Sequence, residues 1–222
     1  MHVIGEQIDK LMTIDIPARG VISKLYTAAR EKYKDPLSMT TANMILNKVK
    51  ASDVVFIATG WPDRPHITPN IAETDGPPGA TSLARGLHIG LNAVPIILIE
   101  EQLVEAMEKT LSASGLKVLS PEEAIEASKS HVPIHAGAVI SFPTDQEEAK
   151  AKSKMLLDKY KPAAITVIEK GGMNDKGYIH TSRGHDTTEH MSKIDILINE
   201  AKSQDVLTIG IGDGGNEIRH RK

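Results

Sequence analysis

From residue 53 onward the chain sets short, continuous apolar runs between amphipathic stretches. Val54 to Ala58, Val94 to Ile99, Ala138 to Phe142, Ala163 to Ile168 and Val206 to Ile211 are rich in β-branched side chains. Runs that are apolar at every position, rather than every second one, suit strands covered on both faces, the mark of a parallel sheet. Leu116 to Leu119 reads as one more short strand. Helices are predicted between them over Ala80 to Leu91, Glu101 to Ser114, Pro121 to Ser130, Asp145 to Tyr160 and Thr188 to Ser203. The alternation predicts an α/β fold: an open, mostly parallel, doubly wound (Rossmann-like) sheet with helices on both faces.

The first fifty residues follow a helical period instead. Ile4, Ile8, Leu11 and Met12 form one stripe. A second helix is predicted to open near Pro17, with Val21, Ile22, Leu25 and Ala29 on one face, and Asp35-Pro36 stops it. A third runs from Ser38 to Lys50 and carries Met39, Ala42, Ile45, Leu46 and Val49. Such stripes are expected to be core. We find no internal repeat and no Gly/Ser/Pro-rich linker, so the prediction is one domain over 1–222, with 1–50 an N-terminal helical cap and 51–222 the α/β core.

Composition narrows the chemistry. The 222 residues include no cysteine, which excludes disulfides, thiolate metal sites and a thiol nucleophile. Aromatics make up 3% of the chain and the formal net charge is -3, so neither a stacking platform nor a basic footprint for nucleic acid is present. No run reaches the ~20 apolar residues of a membrane span. A cytoplasmic protein is expected, with no nucleic-acid or membrane partner; self-association into a homo-oligomer is left open.

In an open parallel sheet, ligands bind beyond the carboxyl ends of the strands. Three polar, glycine-bearing loops follow predicted strands and are expected to converge there. The first runs from Thr59-Gly60 through Trp61, Asp63, Arg64 and His66 to Glu73-Thr-Asp-Gly-Pro-Pro-Gly-Ala80, whose glycines and prolines make a stiff loop. The second runs from Glu169-Lys170 through Asn174 and His180 to Ser182-Arg-Gly-His-Asp186. The third is Gly210-Ile-Gly-Asp-Gly-Gly-Asn-Glu217. This last stretch has the spacing of a dinucleotide fingerprint but lacks the acid about 20 residues on. No nicotinamide or flavin is therefore expected, and neither a phosphate-loop lysine nor a serine elbow is present.

Acids dominate these loops. Crowded carboxylates either hold a hard cation such as Mg²⁺ or Ca²⁺, or share protons so that one acts as acid and another as base. Asp75, Asp213 and Glu217 are the candidate metal ligands. Asp75 and Asp213, with His180 and His185, are the candidate catalytic groups. Gly60, Glu73, Thr74, Gly76, Gly79, Glu169, Asn174, Asp186, Gly214 and Asn216 are the candidate substrate-binding positions, the segment Gly76 to Gly79 serving as an anion-binding helix start. Arg64, Arg85, Lys170 and Arg183 are the cations placed to neutralise an acidic ligand. Arg19-Gly20 reads as a turn that reaches a ligand.

Taken together, Thr59-Gly60, Glu73 to Ala80, Glu169-Lys170 with Gly177-Tyr-Ile-His180, and Gly210 to Ile218 resemble the D-glutamate cyclase C-terminal-like family, from about Ile14 to Ile218. The resemblance implies an α/β fold and conversion of D-glutamate to 5-oxo-D-proline and water by a carbon–oxygen lyase acting on a small amino acid. Where the family continues past Gly-Asn-Glu-Ile, this chain reads Arg219-His-Arg-Lys222, so the core is expected to lack a C-terminal portion. The alternative reading is a non-catalytic module that binds an acidic metabolite or nucleotide.

Overall fold

The computed structural model of the protein describes residues 2–16, 18–132 and 134–218. Three helices come first, α1 (His2–Met12), α2 (Ile22–Arg30) and α3 (Leu37–Lys48). Then follow β1 (Val54–Ala58), α4 (Gly76–Leu91), β2 (Val94–Ile99), α5 (Val104–Ala113), β3 (Lys117–Val118), α6 (Pro121–Ser128), β4 (Ala136–Ser141), α7 (Gln146–Tyr160), β5 (Ala164–Ile168), α8 (Ile194–Lys202) and β6 (Leu207–Ile211). The six strands form one sheet in the order β3-β4-β2-β1-β5-β6, and every pairing is parallel.

Apolar residues at consecutive strand positions are explained by the layers on either side. Phe56, Ile96 and Leu98 pack into a core under α6, α7 and α8, whereas their neighbours Val55, Ile57, Ile97 and Ile99 pack under α4 and α5. Ile96, Ile97 and Leu98 are completely buried. Truncating one of them to Ala would cost about 2–5 kcal/mol. The five longer predicted strands are all present, shifted by at most two residues, and the sixth is reduced to the pair Lys117–Val118.

The order also locates the switch point. From β1 the chain winds outward through β2 to β3, returns to β4, and then crosses to β5 on the other side of β1. The loops after β1 and β5 therefore leave the sheet as neighbours, which is where a doubly wound sheet opens a crevice.

Four helix expectations need correction. The stripe Ile4, Ile8, Leu11 and Met12 is exposed, with Val3 beside it. The face that α1 buries is Gly5 and Asp9. A Cβ on Gly5 would lie 2.9 Å from Pro36 Cβ, so glycine allows the close approach to the start of α3. The Asp9 carboxylate accepts hydrogen bonds from the Leu37 and Ser38 amides at 2.7 and 2.9 Å and from the Tyr26 hydroxyl at 2.8 Å. The cap is thus tied by a polar hub that caps α3 from another helix, and a periodicity rule seeks only apolar contacts. Along α3, Ala42 and Leu46 are exposed as well, while Val49 beyond its end is core. Pro17, near which the second helix is expected to open, lies outside the described residues, and α2 starts at Ile22.

The helix expected over Thr188 to Ser203 is a short 3-10 turn, Thr188–His190, followed by α8 from Ile194. The segment between them leaves the helical conformation, with the Ser192 amide donating to Glu100 Oε1 at 2.9 Å and Lys193 Nζ to the Met191 carbonyl at 2.8 Å. The helix predicted from Ala80 instead begins at Gly76, four residues earlier, with Asp75 as its N-cap. Among the described residues no helix is long and apolar enough to cross a membrane.

Candidate active site

Each of the three loops folds back on itself. After β1, Asp63 N donates to the Ile71 carbonyl at 2.9 Å and Glu73 N to the Trp61 carbonyl at 2.9 Å, so the loop is a small hairpin that returns Glu73 to the sheet edge. After β5, Glu169 adopts a positive φ of 46°. Such a conformation costs a residue other than glycine about 1–3 kcal/mol and is retained where the surroundings determine it. It sends Glu169 toward the other acids and the next residue, Lys170, under the sheet edge. After β6, Gly172 N donates to the Asn216 carbonyl and Ile218 N to the Lys170 carbonyl, both at 2.9 Å, clasping the glycine-rich loop against the β5 loop.

Glu217 shapes that loop. Its buried carboxylate accepts the amides of Asp213 and Gly214 on Oε1 at 3.2 and 2.7 Å, and of Gly215 on Oε2 at 2.7 Å. A Cβ on Gly212 would lie 2.6 Å from Glu217 Cδ, so the loop needs glycine there to wrap this closely.

Five acids thus gather at the edge: Glu73 and Asp75 from the first loop, Glu169 from the second, Asp213 and Glu217 from the third. Burial first, and the carboxylates of Glu217, Asp213, Asp75 and Glu73 after it, push Glu169 up to about 8. Burial and the Asp75 carboxylate likewise raise Glu73 to about 7, although this residue is open to solvent on one side. Asp213 is also raised, by burial and by Glu217, with the Arg19 guanidinium pulling the other way. Near neutral pH Glu169 is therefore mostly protonated, and Glu73 is close to its midpoint.

Oxygens of Glu169, Asp213 and Glu217 lie within 4.8 Å of one another. A Ca²⁺ coordination sphere is about 4.6–5.2 Å across, so the three fit a hard cation in size and in donor chemistry. This group differs from the expected Asp75, Asp213 and Glu217 by taking Glu169. Asp75 is instead placed as the N-cap of α4, its Oδ1 accepting the Gly76 amide at 3.0 Å.

That cap alters the reading of Gly76 to Gly79. Of the first-turn amides, Gly76 N is engaged by Asp75, and Pro77 and Pro78 have none. The helix start has little left to offer an anion. Gly76 matters for another reason: a Cβ there would lie 2.5 Å from Thr59 Oγ1 and 3.2 Å from Glu169 Cβ. Thr74 and Gly79 are exposed on either side of it. Gly60, with φ of 97°, turns its carbonyl to Lys170 Nζ at 2.8 Å.

The remaining predicted residues sort by what their atoms already do. Asn174 Oδ1 accepts the amides of Lys176 and Tyr178 at 2.9 and 3.0 Å, and Asp186 Oδ1 accepts that of Thr188 at 2.8 Å; both side chains hold turns. His185 is exposed beside the tight turn in which Gly184 N donates to the Thr181 carbonyl at 2.9 Å. His180 is half-buried, and its carbonyl accepts Asn216 Nδ2 at 2.9 Å, joining this loop to the glycine-rich one next to Gly214. Among the cations, Arg85 reaches the Ser114 carbonyl at 2.9 Å, Arg64 pairs with Asp63 at 3.5 Å, and Lys170 is wholly buried in an ion pair with Glu100. Arg183 lines a cleft of about 440 Å³ together with Arg19, Val21, Thr181, Ser182 and the segment Gly214 to Asn216.

Two features had weak signals in the sequence. Thr59 and Trp61 are buried with Oγ1 and Nε1 lacking hydrogen-bond partners among the described residues, and their place just after a strand was the only hint. Arg19 belongs to the cap, and only the turn around it suggested a reach toward the sheet.

An open, all-parallel sheet with acids gathered at its switch point defines an α/β domain of the doubly wound class. The chain matches the family described as D-glutamate cyclase-like, C-terminal, over residues 8–220, and it belongs to that family. No curated protein matches it significantly.

Proposed function

We propose that the protein is a D-glutamate cyclase-like carbon–oxygen lyase, converting D-glutamate to 5-oxo-D-proline and water. The observation that carries the reading is the gathering of five acids at the switch point, with burial and mutual repulsion holding Glu73 and Glu169 above the usual carboxylate range, in a member of this family. Ring closure forms a bond between the amine nitrogen and the side-chain carboxyl carbon and breaks one carbon–oxygen bond of that carboxyl. The amine must lose its protons, and the departing oxygen must gain them. Asp75 and Asp213 act as the base pair for the amine, and Glu169, protonated near neutral pH, donates to the leaving oxygen. His180 and His185, placed at the rim, are the weaker candidates for that donation. A substrate ammonium is drawn to the acids, and holding both ends in one cleft favours the intramolecular reaction.

A second reading is supported by the fit of Glu169, Asp213 and Glu217 to a hard cation, Mg²⁺ or Ca²⁺. When bound there, such an ion supplies Lewis-acid polarisation of a carboxylate. The test is to incubate the protein with D- and L-glutamate in the presence of chelator, Mg²⁺ or Ca²⁺, and to follow 5-oxoproline by mass spectrometry. No product under any condition sinks the cyclase reading in favour of a binding module. Turnover that survives unchanged in Asp75→Asn, Asp213→Asn and Glu169→Gln sinks the residue assignments instead.

A further inference from the structure

The acids provide for the amine and the reacting carboxyl but leave the α-carboxylate of a glutamate without a partner. The cleft beside them has the opposite character. Arg19 and Arg183 both line it, with the hydroxyl-bearing Thr181 and Ser182 and the segment Gly214 to Asn216, whose Gly214 and Gly215 amides are held by Glu217. Among the described residues, neither guanidinium makes an ion pair or a side-chain hydrogen bond. Asp15, the nearest acid in sequence to Arg19, is engaged otherwise: its two oxygens accept the backbone amides of Arg19 and Gly20. That turn, with Ala18 at φ 53° and Gly20 at φ 71°, presents the Arg19 side chain toward the sheet edge.

The cleft is continuous with the acid cluster. Gly214, Gly215 and Asn216 form its floor and are neighbours of Asp213 and Glu217 in the same loop. The Arg19 guanidinium also lowers the proton affinity of both Glu73 and Asp213, so it is within electrostatic reach of the acids. Two cations sharing a solvent cleft repel one another unless an anion lies between them, and the planar guanidinium matches a carboxylate in two-point hydrogen bonding.

We propose that Arg19 and Arg183 are specificity-determining residues that clamp the α-carboxylate of the substrate between the N-terminal cap and the loop after β5. The cap is then part of the site, and ligands whose α-carboxylate is masked are rejected. The choice of D-glutamate as ligand rests on the cyclase reading; the carboxylate clamp itself does not.

The experiment uses the full chain and measures D-glutamate binding by calorimetry alongside 5-oxoproline formation. Its variants are Arg19→Gln, Arg183→Gln, the double variant, and Lys24→Gln as a control at an exposed lysine of the cap. The expected result is that each clamp variant raises KM and Kd about tenfold or more, with kcat within a few-fold, and that Lys24→Gln behaves as wild type. D-isoglutamine, with an amide in place of the α-carboxylate, binds weakly to wild type, and the preference for D-glutamate over it disappears in the double variant. A folding defect would not erase that preference. If wild type turns over and the clamp variants keep KM, Kd and the preference, the clamp is overturned while the cyclase reading stands. If D-glutamate binds with arginine dependence but gives no product, the cyclase reading fails and the clamp stands. If wild type neither binds nor converts D-glutamate, both fall.

Discussion

Lys170 offers the sharpest test of how the loops are held. Its side chain is completely buried, as is that of its partner Glu100, and its ammonium also donates to the carbonyls of Thr59 and Gly60. The one pair thereby joins the ends of β1, β2 and β5, and Glu100 extends the link to Ser192. Burial pulls the Lys170 pKa down, and the Glu100 carboxylate pulls it back up, the burial effect being the larger. In Lys170→Met the Glu100 carboxylate keeps only the Ser192 amide, and Oε2 already has no hydrogen-bond partner among the described residues. Removing one partner of a buried pair costs about 3–5 kcal/mol because the other charge stays desolvated. In a domain of this size each kcal/mol shifts the melting temperature by about 2–4 °C, so a fall of roughly 6–20 °C is expected. The double variant Lys170→Met/Glu100→Leu removes the stranded charge and recovers most of that loss. It stops about 1–3 kcal/mol short of wild type because the two carbonyls remain without a donor and the Ser192 amide loses its acceptor. Urea denaturation followed by the fluorescence of Trp61, the only tryptophan, measures all three proteins. A Lys170→Met protein within about 1 kcal/mol of wild type, or a double variant no better than the single one, would refute the reasoning.

Two further predictions concern the acids and the packing beneath them. Glu169 and Glu73 bind protons up to about 8 and about 7 in the folded chain, against 4.5 when unperturbed, so the folded state holds the extra protons between these values and stability falls as pH rises through that window. Glu169→Gln should flatten this dependence and raise the melting temperature most at pH 8–9; an unchanged pH profile would count against the raised pKa. Gly76→Ala forces its methyl against Thr59 Oγ1 and should destabilise by about 1–3 kcal/mol. Thr59→Ala in the same chain should restore part of the loss in a thermal melt, and the absence of any rescue would place the clash elsewhere.

The strands were legible because burial on both faces leaves an unbroken apolar run, as in Val94 to Ile99. Their order was not, since nothing in β4 states that it lies between β2 and β3. The acid loops were legible as loops and as acids. What could not be read was the division of labour that packing imposes: Glu217 turned to its own amides, Lys170 sank into the core, and Asn174 and Asp186 settled into turns. The cap misled for a similar reason. Its apolar stripe suggested burial, while Gly5 and Asp9, neither of which a hydrophobic period would select, make the contact. Arg19 lies 150 positions ahead of Glu169, and only the tertiary fold brings it near the acids.

The carboxylate of Glu217 has one more consequence. It is tethered to the loop whose amides it binds, and tethering gives a short-linked group an effective concentration in the millimolar range or above. Any free anion that sought those amides would compete with a resident that never diffuses away. The glycine-rich turn after β6 is therefore self-occupied, and its likeness to a phosphate cradle is one of backbone shape alone. Replacing Glu217 by an uncharged residue would free those amides for a diffusible anion.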